Sequence, residues 1–256
     1  VASVYTIRFP RVIVMMLAGG ALALSGLLFQ VVLKNPLADP GIIGISNGAN
    51  LASILVGVLL PQLYSINWLI AFLGGLVTFA IIYSLSWKSG FKTTRIILIG
   101  VAINYTISAL VSLVESSSAS LTSQATGTVA LYTWQNVTVL LVCLLPVVLV
   151  TMFMAKACNL LALEDRTLTT LGVNVNFYRF GLSLLAVLLC SISVSVVGVI
   201  GFIALLVPHV SRLLVPHVSR LLVGLEHKYL LPVSFLIGMI VLLITDTIGR
   251  VIMAPY

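Results

Sequence analysis

Apolar residues run along this chain in long unbroken stretches, separated by short joints that carry charges, glycines and prolines. They do not alternate every second residue, as a barrel strand facing lipid on one side requires. Most also continue well past the length of a soluble core helix. A hydrocarbon layer of about 30 Å takes roughly 20 apolar residues of helix to cross. Eight segments reach or approach that length: 11–33, 47–60, 66–87, 94–115, 137–158, 178–199, 201–214 and 229–253. The second and seventh are short, and the Gly and Pro residues beside them predict helices that are tilted, broken or buried within the bundle. The predicted fold class is all-α, a polytopic transmembrane helix bundle of about eight spans, in one domain over residues 1–256.

The joints differ in character. In residues 34–50, KNPLADPGIIGISNGAN, Pro36 and Pro40 restrict the backbone, Gly41 and Gly44 free it, and Asp39 or Ser46 is placed to cap a helix start. Residues 115–136 are rich in Ser and Thr and predict a loop combined with a short helix. Residues 159–176, NLLALEDRTLTTLGVNVN, set Glu164, Asp165 and Arg166 among leucines and reach Gly172, a helix terminator. There Leu160, Leu161, Leu163, Leu168 and Leu171 fit one or two short amphipathic helices lying on a surface. That segment is either an interfacial loop or a docking element for a cytoplasmic partner.

Composition turns the pattern into a location. At 61% hydrophobic and 7% charged residues, with a mean hydropathy of +1.23, the chain has too little polar surface to cover a soluble core. It belongs in a bilayer. A net charge of +7 raises nucleic acid as a partner, but the basic residues are spread singly through the joints and form no patch. They report topology instead. With the first span running from outside to inside, Lys34, Lys88, Lys92, Arg95, Lys156, Arg166, Arg179, Arg212, Arg220 and Lys228 fall on the cytoplasmic side, and only Arg8, Arg11 and Arg250 fall outside. Cys143, Cys158 and Cys190 form no CxxC pair and read as packing residues.

Reactive chemistry is hard to find. The sequence has no HExxH, no GxSxG, no paired intramembrane Asp and no GxxxxGK[ST] phosphate loop. His209, His217 and His227 lack partners at metal-ligand spacing, apart from Glu226 beside His227, so neither a metal site nor a catalytic site is expected. Asp246 is the one carboxylate set inside a span, and Arg250 four residues on predicts an i to i+4 pair. Small residues recur in AGGALALSG, residues 18–26, at Gly74 and Gly75, and at Gly238 and Gly249, as close helix packing in lipid requires. A Gly-studded bundle without reactive clusters points to a translocation pathway rather than a catalyst.

Taken together, IRFPRVIVMMLAGGALALSGLLFQ, NPLADPGIIGISNGA, TTRIILIGVAIN, LALEDRTLTTLGVN, GVIGFIALLVPHVSRLL, HKYLLPVSFLIG and TDTIGR resemble the FecCD-type permeases over essentially the whole chain. These are the membrane subunits of binding-protein-dependent ABC importers for iron-siderophores, haem and cobalamin. The resemblance implies a ten-helix subunit of the bacterial cytoplasmic membrane that pairs with a second, identical or homologous permease. Two cytoplasmic ATPase subunits, carrying ATP and Mg, would lie below, and an extracellular or periplasmic binding protein above. This chain itself would bind no cofactor. The eight spans then match the family's second to ninth helices, so the sequence reads as cut at both ends.

Carried over by position, the resemblance puts the ATPase-coupling segment at 161–174, with Leu161, Leu163, Glu164, Asp165, Arg166, Leu171 and Gly172. Glu164 stands where the family has glycine, which calls the local turn into question. Docking of the binding protein would fall to Arg8, Arg11, Glu115 and Arg250 on the outer side. Pathway lining is expected from the Gly-rich span, at Ser25 and Gln30, and from residues 104–126, at Asn104 and Ser108. The implied mechanism is alternating access, with an iron-siderophore complex as cargo. Haem or cobalamin is the alternative cargo, and an ion-coupled secondary transporter is the alternative from another class.

The octapeptide VPHVSRLL occurs twice in succession, at 207–214 and 215–222. Eight residues at 100° each leave the second copy turned by about 80° and roughly 12 Å further along a continuous helix, so the two histidines cannot serve equivalent sites. Pro216, which has no N–H to donate, predicts a break near 214–216.

Overall fold

The computed structural model describes residues 4–87, 93–117, 132–219 and 226–253. Its long elements are α1 Phe9–Val32, α3 Ile45–Leu59, α4 Asn67–Trp87, α5 Thr93–Ser117, α6 Trp134–Phe153, α9 Val175–Val197, α10 Ile203–Ser219 and α11 His227–Met253. Three short helices complete the labelling: α2 Pro40–Ile43, α7 Ala155–Leu161 and α8 Asp165–Thr170. A π-helical turn, Val4–Arg8, precedes α1, and a 3-10 turn, Pro61–Ile66, precedes α4. Six of the helices are long and apolar enough to cross a membrane, and α3 and α10 are the two shorter ones. All eight predicted spans therefore have a helix. Of the basic inner positions, Lys88, Lys92 and Arg220 lie outside the described residues, as does most of the Ser/Thr-rich outer joint.

Helix α1 is the axis of the bundle. It packs against α11, α9, α10 and α6, while α3 and α4 pair with each other and pack on α9, and α5 lies at the edge, mainly against α3 and α2. Burial follows: 78% of the membrane window of α1 is buried, against 6% for α5. The small residues explain why a helix can be surrounded this way. A Cβ on Gly238 would stand 2.5 Å from the Gly19 carbonyl oxygen, one on Gly20 would stand 2.5 Å from the Phe235 ring, and one on Gly26 would collide with the Ala204 backbone. Dispersion between backbones in contact holds such a junction, because lipid supplies no hydrophobic drive between helices.

Turn chemistry sets the inner joints. The Asp39 carboxylate accepts from the Gly41 N–H at 2.6 Å and the Ile42 N–H at 3.3 Å, capping α2. Burial pushes its pKa above the ordinary carboxylate value, a rise that those two bonds only partly offset. Ser46 does not cap; its hydroxyl lies 3.3 Å from the Cys190 sulfur. Gly44 and Gly172 have φ of 95° and 74°, the left-handed region, and each ends a short helix, the one at Gly172 as expected.

The expected break in the doubled segment is corrected. Helix α10 runs unbroken from Ile203 to Ser219, through Pro208 and Pro216. A proline removes one hydrogen bond and crowds one turn, and the neighbouring turns carry the helix across it. The same occurs at Pro146 in α6 and Pro232 in α11. The 80° offset between the copies therefore applies to the helix backbone, and the remainder of the second copy lies outside the described residues.

Candidate transport pathway and its two docking ends

At the inner end, the segment expected to couple to an ATPase folds as α7, a turn at 162–164, and α8. Glu164 is the residue before α8, with φ −65° and ψ 144°, an extended conformation open to any side chain, so the departure from glycine costs nothing there. Leu161 and Leu168 are buried and anchor the two helices. Leu161 is thus a core residue rather than a contact surface. Leu163 and Leu171 are exposed at 44% and 64%, with Glu164, Arg166 and Gly172 also on the surface. Together they form an apolar patch edged by charge.

Asp165 opens α8 and is held from two sides. Lys34 reaches it at 2.8 Å and also donates to the Leu163 carbonyl, and Arg179 donates to both of its oxygens at 3.1 and 2.8 Å. Partial burial alone would raise this carboxyl, but the Lys34 bond and the Arg179 charge outweigh it and hold it below its ordinary value. Lys34 sits just past α1 with φ 47°, a left-handed turn in which the Asn35 N–H returns to the Gln30 carbonyl. Sequence reading placed Lys34 and Arg179 only as inner positive charges.

Along the bundle, Asn104 and Ser108 lie on α5 and both accept from the Asn47 amide, at 2.7 and 3.0 Å. Ala102, Thr106, Ala109 and Ser112 form an exposed strip on the same helix. The Thr106 and Ser112 hydroxyls donate to Ala102 and Ser108 carbonyls one turn back. Ser25 and Gln30 are 0% and 2% exposed, and they bond to the Ala186 and Leu205 carbonyls. A partner chain can only bury them further. In sequence, a small-residue stripe looks the same whether it lines a pathway or packs a core, and here it packs. Residues 118–126 of the expected lining lie outside the described residues.

At the outer end, Arg8 is exposed and Glu115 partly so. Arg11 is different: its side chain is 9% exposed and makes a bidentate pair with Asp246, at 2.5 and 3.1 Å. The expected Arg250 to Asp246 pair also forms, at 2.9 Å, with Arg250 43% exposed. Arg8 and Arg250 are therefore the arginines that present charge outward, while Arg11 is spent inside. Among the described residues no group of three or more His, Cys, Asp and Glu could hold a metal. His227 instead meets Asn159, its backbone N–H and ring Nδ1 both on the Asn159 oxygen at 3.0 and 2.6 Å.

The described residues form a multi-pass bundle of apolar helices with short helices at its inner end. Residues 1–256 match the model of the FecCD transport family, and the chain belongs to that family. It is 36% identical over 255 residues to IsdF of Staphylococcus aureus strain Newman, called a probable heme-iron transport system permease protein, covering all of this chain and 76% of that one. The IsdF proteins of strains Mu3 and USA300 match equally. A solved inward-facing structure assigned to the metal-chelate type of ABC transporter superposes with a TM-score of 0.84 at 29% identity, covering 99% of this chain and 80% of that one. This chain is an ABC importer permease of the cytoplasmic membrane, a component that works with ATPase and binding-protein partners.

Proposed function

We propose that the chain forms half of a pathway through which an iron chelate is imported by alternating access, with a second permease, identical or homologous, supplying the other half. The observation that carries this reading is the open strip on α5, Ala102, Thr106, Ala109 and Ser112. Its hydroxyls are satisfied by their own helix, and Tyr105, Leu110 and Leu113 are exposed beside it, so the surface is largely apolar and makes no demand for fixed partners. Such a wall suits a bulky cargo with both apolar and charged parts that must be released at each step. ATP and Mg are handled by the two ATPase subunits, and closure of those subunits is passed to the bundle through 161–174. Arg8, Glu115 and Arg250 meet the binding protein.

Haem is the first cargo to test, because the curated relative with 36% identity is described as a haem-iron permease. Ferric siderophores, to which the sequence motifs first point, and cobalamin are the comparison cargoes. Asp246 is engaged by two arginines, which speaks against a role for it as an intramembrane proton relay.

The test is uptake into vesicles by the complex assembled with its ATPases and binding protein, offered haem, a ferric hydroxamate siderophore or cobalamin. Haem accumulates in an ATP-dependent way, and replacing 161–174 by a flexible linker abolishes it. Uptake that survives the linker, or that needs no ATPase, sinks the mechanism. Uptake of the siderophore or cobalamin alone replaces the cargo.

A further inference from the structure

Between α1, α8 and α9 lies an ion cluster that the pathway itself does not use. We propose that Asp165 is a mechanical joint, a positioning residue that ties α8 to α1 through Lys34 and to α9 through Arg179, so that displacement of α8 is delivered to the bundle axis. This rests on the reading of α8 as the ATPase-facing element.

The need for a tie follows from size. Helix α8 has six residues and buries one side chain, Leu168. A helix that short has no stability of its own, and pushed from below it would rock on its loops and transmit little. The first residue of that helix, however, is fixed to two long elements by a single carboxylate. Arg179 is 8% exposed and stands about one turn into α9, so its guanidinium is a fixed point, from which a single nitrogen, Nη2, reaches both carboxylate oxygens. Lys34 adds a second grip, because it also holds the Leu163 carbonyl in the turn before α8. Behind Lys34 is α1, packed against four long helices.

Exposure separates this role from simple stabilisation. The Asp165 side chain is 49% exposed and that of Lys34 32%, and ion pairs so open to water contribute little to folding stability. What they retain is geometry: three elements are constrained to move together.

The test uses the whole complex, permease with ATPases, in lipid nanodiscs. ATP hydrolysis is read with and without the binding protein on the outer side, and the ratio of the two rates is the measure. Asp165→Asn and, separately, Lys34→Met lower that ratio by about fivefold or more, a typical coupling loss, while the ATPases still co-purify. Asp165→Glu, which keeps the charge within reach of both cations, retains most of the ratio. A ratio unchanged in both Asp165→Asn and Lys34→Met overturns the joint. So does a ratio that falls only in step with melting temperature and co-purification, and alike in Asp165→Glu. If the complex still assembles and is stimulated equally after 161–174 is replaced by a linker, the coupling reading itself has failed, and the joint with it.

Discussion

Arg11 and Asp246 are 235 positions apart in sequence, yet their side chains close a bidentate ion pair, at 2.5 and 3.1 Å, between the outer ends of α1 and α11. Both side chains are less than a tenth exposed. Removing one partner of a buried pair leaves an uncompensated charge at a cost of about 3–5 kcal/mol. Asp246→Asn strands Arg11 inside and takes a partner from Arg250, so the melting temperature of the detergent-solubilised protein falls steeply. Arg250→Ala touches only the exposed branch and costs about 0–1 kcal/mol. Equal melting shifts for the two variants would contradict this ranking.

Gly19 and Gly238 leave no room for a methyl group at the α1–α11 crossing. Gly19→Ala and Gly238→Ala each destabilise by about 1–3 kcal/mol, the usual range for overpacking. Their effects are not additive, because either substitution already separates the same two backbones. Gly249→Ala on the same helix meets nothing within 4 Å and serves as the control. Chemical denaturation of all four proteins in one detergent checks the order.

Ser108 and Ser25 separate pathway from core. In a background with Cys143, Cys158 and Cys190 replaced, Ser108→Cys reacts with a small membrane-impermeant thiol reagent in the assembled complex, at a rate that changes when ATP is added. Ser25→Cys stays unlabelled, because Ser25 is fully buried against α9. Comparable labelling at both positions would return the Gly-rich helix to the pathway.

Asp39 gives a pH dependence of defined sign. Its folded-state pKa is raised above the ordinary 3.8 by burial, so the protonated form is the one the fold prefers. That increment of stability is complete below 3.8 and is lost as pH rises through the folded-state value. Asp39→Asn keeps a capping acceptor and no longer ionises, which flattens the dependence; Asp39→Ala loses the cap, at about 1 kcal/mol. Melting curves of the three proteins from mildly acidic to neutral pH supply the comparison, and an unchanged slope in Asp39→Asn excludes this group as its source.

The spans were legible because lipid imposes one rule on every crossing segment: 11–33 became Phe9–Val32 and 229–253 became His227–Met253 with shifts of a residue or two. Local chemistry was equally readable where cause and effect are neighbours, as in the Asp39 cap, the Gly172 terminator and the Arg250 to Asp246 pair. What sequence did not reveal lies across the bundle. Nothing near Asp246 names Arg11, and nothing near Asp165 names Lys34 or Arg179. Ser25 and Gln30 sit in a stripe whose composition suits a pathway as well as a core, and only the Ala186 and Leu205 carbonyls across the bundle show them held inside. Pro216 was read as a break because its local cost is real, while the turns that absorb it are not written at that position.

The central place of α1 also has a consequence in time. The helices that enclose it most, α9, α10 and α11, are encoded well downstream, and α11 begins 218 residues after α1. At about 5–20 residues per second of synthesis, α1 waits roughly 10 to 40 s in the membrane with its glycine seam facing lipid. The helix that organises the finished protein is among the last to find its place, and during that interval it is the segment most open to capture by an insertion chaperone or by the wrong neighbour.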